Sequence, residues 1–102
     1  MKTSELTGRA LDWAVEECEQ FVEDVFEPSE NWADGGPIIE RESISLACRP
    51  KDARGLWCAV LGPNRFLSPD FEGYGPTPLI AAMRCYVASK LGDEVEIPEE
   101  LK

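Results

Sequence analysis

The sequence predicts an α+β fold in which two helices flank a small antiparallel sheet built around a central hairpin. Three observations predict it. Apolar residues recur at three- and four-residue spacing after Gly8, two short apolar runs lie either side of a turn-rich segment between residues 44 and 61, and residues 77–91 read as a capped, almost wholly apolar helix. At 102 residues the length suits one domain, 1–102, long enough to bury a single core and too short for a second domain around a cleft.

Thr7 is placed to cap the first helix, and Leu6 can pack on Leu11 as a hydrophobic staple. Leu11, Ala14, Val15, Cys18 and Val22 form the buried stripe, with Asp12, Glu16, Glu19 and Gln20 on the other face. Trp13 falls outside that stripe. At about 100° per residue it projects nearly opposite Leu11, so it meets solvent, a loop or a partner. Residues 20–26 read equally as a last helical turn or a short strand, and Pro28 stops either. Residues 29–37 read as a turn-rich loop whose Gly35-Gly36-Pro37 permits unusual backbone conformations, after which Ile38 and Ile39 return to the core.

Ile44, Leu46 and Cys48 alternate with Ser43, Ser45 and Ala47, the period of a half-buried strand. Residues 56–61 form a second strand, apolar enough to be covered on both faces, and residues 50–55 are the hairpin loop. Residues 62–76 read as an irregular loop pinned by Phe66, Leu67, Phe71 and Tyr74. The closing helix has Thr77 as N-cap, Pro78 at the first helical position, Lys90 in the last turn and Gly92 beyond it. Leu79, Ile80, Met83, Val87 and Leu91 make a large apolar stripe, and Ala81, Ala82, Cys85 and Ala88 leave most of the rest small. Such a helix is buried on more than one side. Arg84 and Lys90 are its only charges, so each must snorkel outward or pair with an acid.

Net charge is -10, and its distribution is informative. No basic residue lies between Arg9 and Arg41, where acids accumulate, and five more acids follow Gly92; Arg41, Arg49, Lys51, Arg54 and Arg65 are grouped between. An acidic surface repels nucleic acid and anionic lipid, so direct nucleic-acid binding is disfavoured, although a compact basic patch can hold one small anion. No apolar run approaches the roughly 20 residues that span a bilayer, and no signal core is present, which reads as a cytosolic protein without membrane association. The four cysteines, Cys18, Cys48, Cys58 and Cys85, are dispersed and read as buried thiols; Cys48 and Cys58 are placed to face each other across the hairpin.

The chain contains no histidine, which removes the usual base of serine and cysteine hydrolases, and no phosphate-binding glycine motif occurs. No catalytic residue, metal or cofactor is assigned. Residues 31–42 hold the parts of a small-ligand site: Gly35 and Gly36 offering backbone N–H groups, Trp32 as an aromatic neighbour and Arg41 as a planar fork. The same residues more commonly make a tight turn, a core edge and an ion pair, since Gly-Gly-Pro is frequent punctuation and arginines are usually structural or solvated.

Leu11-Asp12-Trp13-Ala14-Val15, the segment 32–42 with its Gly-Gly-Pro-Ile-Ile-Glu-Arg-Glu core, and above all residues 75–95, Gly-Pro-Thr-Pro-Leu-Ile-Ala-Ala-Met-Arg-Cys-Tyr-Val-Ala-Ser-Lys-Leu-Gly-Asp-Glu-Val, resemble the NinX family of bacteriophages. The similarity spans most of the chain, while residues 21–29 and 49–71 match no family pattern. It implies an accessory protein of lambda-like phages made in the host bacterial cytoplasm, and a sandwich of two helices around a small sheet. It implies no activity. Asp12, Trp13, Trp32, Gly35, Gly36, Glu40, Arg41, Glu42, Arg84 and Lys90 coincide with the family-like motifs and are the candidate ligand- or partner-binding residues.

Two functions follow as expectations. The first is a nonenzymatic acidic module that binds a host or phage protein through the first helix and Trp13. The second is a protein that binds or sequesters a small nucleotide-like anion, with Arg41 and Arg84 converging beside Gly35 and Gly36. A homo-oligomer is left open.

Overall fold

The computed structural model describes residues 1–20, 25–49, 56–65 and 67–101. Helix α1 runs Gly8–Glu19. Leu6 and Leu11, which bracket its start, are both wholly buried in one core cluster. Thr7 is extended, its side chain makes no capping bond, and Gly8 takes φ +52°, a region that favours glycine. The start is therefore set by the staple and the glycine rather than by the threonine hydroxyl. Gln20, at φ +62°, ends the helix. The strand-or-helix question for residues 20–26 lies largely outside the described residues. Trp13 is half-buried and packs against the core. The chain returns to this side of α1 at Ser29, whose amide donates to the neighbouring Asp12 Oδ1 at 2.9 Å.

Of the loop expected over residues 29–37, only residues 29–31 lie outside a helix; residues 32–37 are helical. Helix α2 spans Trp32–Glu42 and carries Pro37 inside it, so a third helix joins the two expected. Asn31 Oδ1 accepts from the Ala33 amide at 2.8 Å, and Asp34 lies in the first turn, both favourable at a helix N-terminus. The Gly35 amide donates to Asn31 O at 2.9 Å. Its missing side chain matters more, because a β-carbon would lie 2.5 Å from Pro28 O and 2.7 Å from Leu79 Cδ2. Ile38 is buried and Ile39 half-buried against the core.

Strands β1 (Ser45–Cys48) and β2 (Trp57–Leu61) form the expected antiparallel hairpin, whose loop, residues 50–55, lies outside the described residues. A third strand, β3 (Phe71–Gly75), pairs with β2, giving the order β1-β2-β3. This corrects the irregular loop expected over residues 62–76. The register places Leu46, Ala59 and Gly73 in one row and Cys48, Trp57 and Gly75 in the next on that face. Cys48 thus pairs with Trp57 and Cys58 with Ala47, so the two thiols point to opposite faces instead of toward each other.

Helix α3 (Pro78–Leu91) lies on the glycine-bearing face and touches all three strands, α1, α2 and the 3-10 turn Thr3–Glu5. Thr77 Oγ1 accepts from the Ile80 amide at 3.2 Å, and Gly92 ends the helix. Leu79, Ala81, Ala82, Met83, Cys85, Tyr86 and Val87 are buried, whereas Leu91 is exposed. Beyond α3, Glu94 forms a bridge with Lys2, and Val95 and Ile97 turn into the core while the acids around them stay exposed. Among the described residues no helix is long and apolar enough to cross a membrane.

Candidate functional site

The capped starts of α2 and α3 lie side by side because Gly35 lets Leu79 approach. An open groove of about 480 Å³ forms there, lined by Ser29, Glu30, Trp32, Thr77, Pro78, Leu79 and Ile80. Trp32 occupies the first turn of α2, where its ring escapes the core, and it is 53% exposed. The groove combines apolar walls with the exposed carboxylate of Glu30, a mixture suited to a side chain with an apolar stem and a cationic end. Asp12 supports it from below through the Ser29 amide. Burial pushes the Asp12 carboxyl up, and hydrogen bonding from Ser29 opposes that shift.

Arg41, Glu42 and Lys90 come together elsewhere, where the C-terminal turns of α1, α2 and α3 meet. Arg41 grips Glu19 with both terminal nitrogens, at 3.0 and 2.7 Å, and its Nε donates to Glu42 at 3.0 Å. Lys90 Nζ lies 3.5 Å from the other Glu42 oxygen. Tyr86 sits beneath, donating its hydroxyl to Glu19, with Arg41 and Lys90 at 5.9 and 5.8 Å from its ring centre. The Arg41 hydrogen bonds hold the Glu19 carboxyl below its ordinary value against burial, and burial with the adjacent Glu19 drives the Tyr86 phenol well up. Every cation here has an acid, so the arrangement is a tie between helices. Glu40 is exposed beside it.

Arg84 takes no part in either place. Its Nε donates to Leu6 O at 2.9 Å and one terminal nitrogen to Tyr74 O at 2.7 Å, so it does not snorkel free, and among the described residues it pairs with no acid. The convergence of Arg41 and Arg84 on one pocket is therefore absent. Gly35 and Gly36 offer no anion nest either, since both lie within α2. Sequence reasoning missed Glu19 and Tyr86. The signal was present in Tyr86, a phenol within an apolar helix, because a buried hydroxyl must find a partner. Ser29, Pro78 and Ile80 carried no comparable mark. Among the described residues no group of three or more acids and cysteines is placed to hold a metal ion.

A comparison with curated proteins gave no match. A family model described as Bacteriophage P22, NinX matches residues 2–90, a span that includes the Trp32 groove, the Arg41 cluster and every candidate residue from Asp12 to Lys90. The match covers well over half of the chain, which makes the protein a phage accessory protein belonging to the bacteriophage P22 NinX family.

Proposed function

We propose that the protein is a nonenzymatic binding module that engages a basic surface on a host or phage protein through Trp32 and the groove between α2 and α3. The observation that carries this reading is the exposure of Trp32 at the edge of an apolar groove bearing Glu30. Exposed tryptophan is enriched where few residues supply most of the binding energy, and truncating such an anchor costs 2 kcal/mol or more, on the order of a thirtyfold loss of affinity. The net charge of -10 steers a basic partner toward the surface and discriminates against nucleic acid. Trp13, the expected contact, is committed to the core.

The test is recovery of partners from lysate of the host bacterium by wild type, Trp32→Ala and Glu30→Lys. A protein with a basic surface should be retained by wild type and lost with both variants, while all three proteins melt within a few degrees of one another. Equal recovery by wild type and Trp32→Ala overturns the reading. Glu16→Lys, on the exposed face of α1, separates general charge attraction from the groove: it should weaken recovery modestly and more at low salt.

A further inference from the structure

A second cavity, of about 510 Å³, lies on a different side of α3, between that helix, β3 and the bridged segments around Lys2 and Glu94. Its wall holds the half-buried Arg84. Two of the five guanidinium donors go to the carbonyls of Leu6 and Tyr74, and no carboxylate among the described residues pairs with the group. Burial pushes its pKa down, the mark of a charge that has lost water without gaining a counterion. A cation in that state favours an anion that can reach it through the cavity, and the planar fork favours a carboxylate or phosphate.

The rim narrows the choice. Asp93 and Glu94 are exposed there with Lys2. A dianionic phosphate would meet the two rim carboxylates as well as the cations, whereas a molecule with one carboxylate and one ammonium satisfies both ends. The volume lies within the usual range for small-molecule sites, about 300–1,000 Å³. We propose that this cavity binds a free α-amino acid, its carboxylate on Arg84 and its ammonium toward Asp93 and Glu94. The site shares no lining residue with the Trp32 groove, so it stands or falls independently of the proposed protein contact.

Calorimetric titration of the intact chain with each of the twenty L-amino acids tests this. At least one should bind, and for that one the amide, which lacks the carboxylate, and the N-acetyl form, which lacks the ammonium, should each bind at least tenfold more weakly. Arg84→Lys should lose binding tenfold or more. Because Arg84 also fastens two backbone carbonyls, the exposed Glu94→Gln serves as a variant that keeps the fold, with a severalfold loss expected. The proposal is overturned if no amino acid binds, if the amide or N-acetyl form binds as well as the parent, or if inorganic phosphate or AMP binds more tightly.

Discussion

Gly73 lies directly against Ala81: a β-carbon on Gly73 would overlap the Ala81 carbonyl oxygen and stand 2.5 Å from the Cys85 amide nitrogen. Strand β3 and helix α3 are thus in backbone contact, and both obstructing atoms are main chain. Gly73→Ala should cost about 3 kcal/mol or more, at the upper end for overpacking a core. At Gly75 the contacts are longer, with Ile80 Cγ2 at 2.8 Å and the Ala81 amide nitrogen at 3.1 Å. Gly75→Ala should therefore cost less, about 1–2 kcal/mol. Urea midpoints for the two variants, with unchanged slopes, check the ordering.

Gly35 and Gly36 are neighbours in sequence and opposites in consequence. Gly35 faces Pro28 and Leu79 at distances no β-carbon tolerates, while a β-carbon on Gly36 meets only Trp32, at 4.0 Å. Gly36→Ala should stabilise the protein by about 0.5–1 kcal/mol, because alanine loses less conformational freedom in a helix. Gly35→Ala should destabilise it by about 2 kcal/mol and disturb the Trp32 groove. Thermal melts decide the signs.

These glycines also explain how much of the fold was legible. The caps of α3 and the stripe of α1 rest on side chains whose local preference agrees with their final position, and both were readable; β1 was readable as a strand, but its expected inward side ends in an exposed Cys48. For α2, two glycines and an interior proline oppose a helix by roughly 5 kcal/mol on intrinsic propensity. Its formation depends on the Asn31 cap, the burial of Ile38 and the close approach of Leu79, and the last two are tertiary. Strand β3 was hidden in the same way, since glycine disfavours strands unless another backbone must come near. Gly73 and Gly75 stand two apart on the side facing the small residues of α3, a spacing that only the register reveals as a contact. Among site residues, Trp32 was legible as an aromatic beside a turn. Its groove was not, because the groove exists only once α2 is a helix.

The cysteines separate by surroundings. Cys58 and Cys85 are buried, Cys18 is half-buried, and Cys48 is exposed. Burial pushes the Cys85 thiol up to about 12, and burial with neighbouring Glu19 pushes Cys18 up to about 11, leaving almost no thiolate at neutral pH. Native protein treated briefly with N-ethylmaleimide at pH 7 should gain a single adduct, at Cys48, and four after denaturation. Intact-mass measurement and peptide mapping check both. Early modification of Cys18 would show that the junction of α1 with α3 opens in solution.

The Glu19 and Arg41 pair should give the fold a measurable acid sensitivity. Arg41 hydrogen bonds, reinforced by the Tyr86 hydroxyl, hold the Glu19 carboxyl below its unfolded value near 4.5 in spite of burial. A carboxyl depressed in the folded state contributes stability that is fully present above the unfolded value and is lost as pH falls through the folded one. Arg41 is half exposed, so water screens the pair and its worth at pH 7 is modest, about 1 kcal/mol. Asp12 acts in the opposite sense, since its raised carboxyl favours the fold as it protonates, and both wild type and Glu19→Gln carry that contribution. The informative quantity is therefore the difference between the two proteins. Glu19→Gln should melt below wild type at pH 7, and the gap should hold down to about pH 5, then narrow below pH 4.5 as the wild-type carboxyl protonates. A gap independent of pH would mean that packing around Tyr86, rather than the charge of Glu19, holds the three helix ends together.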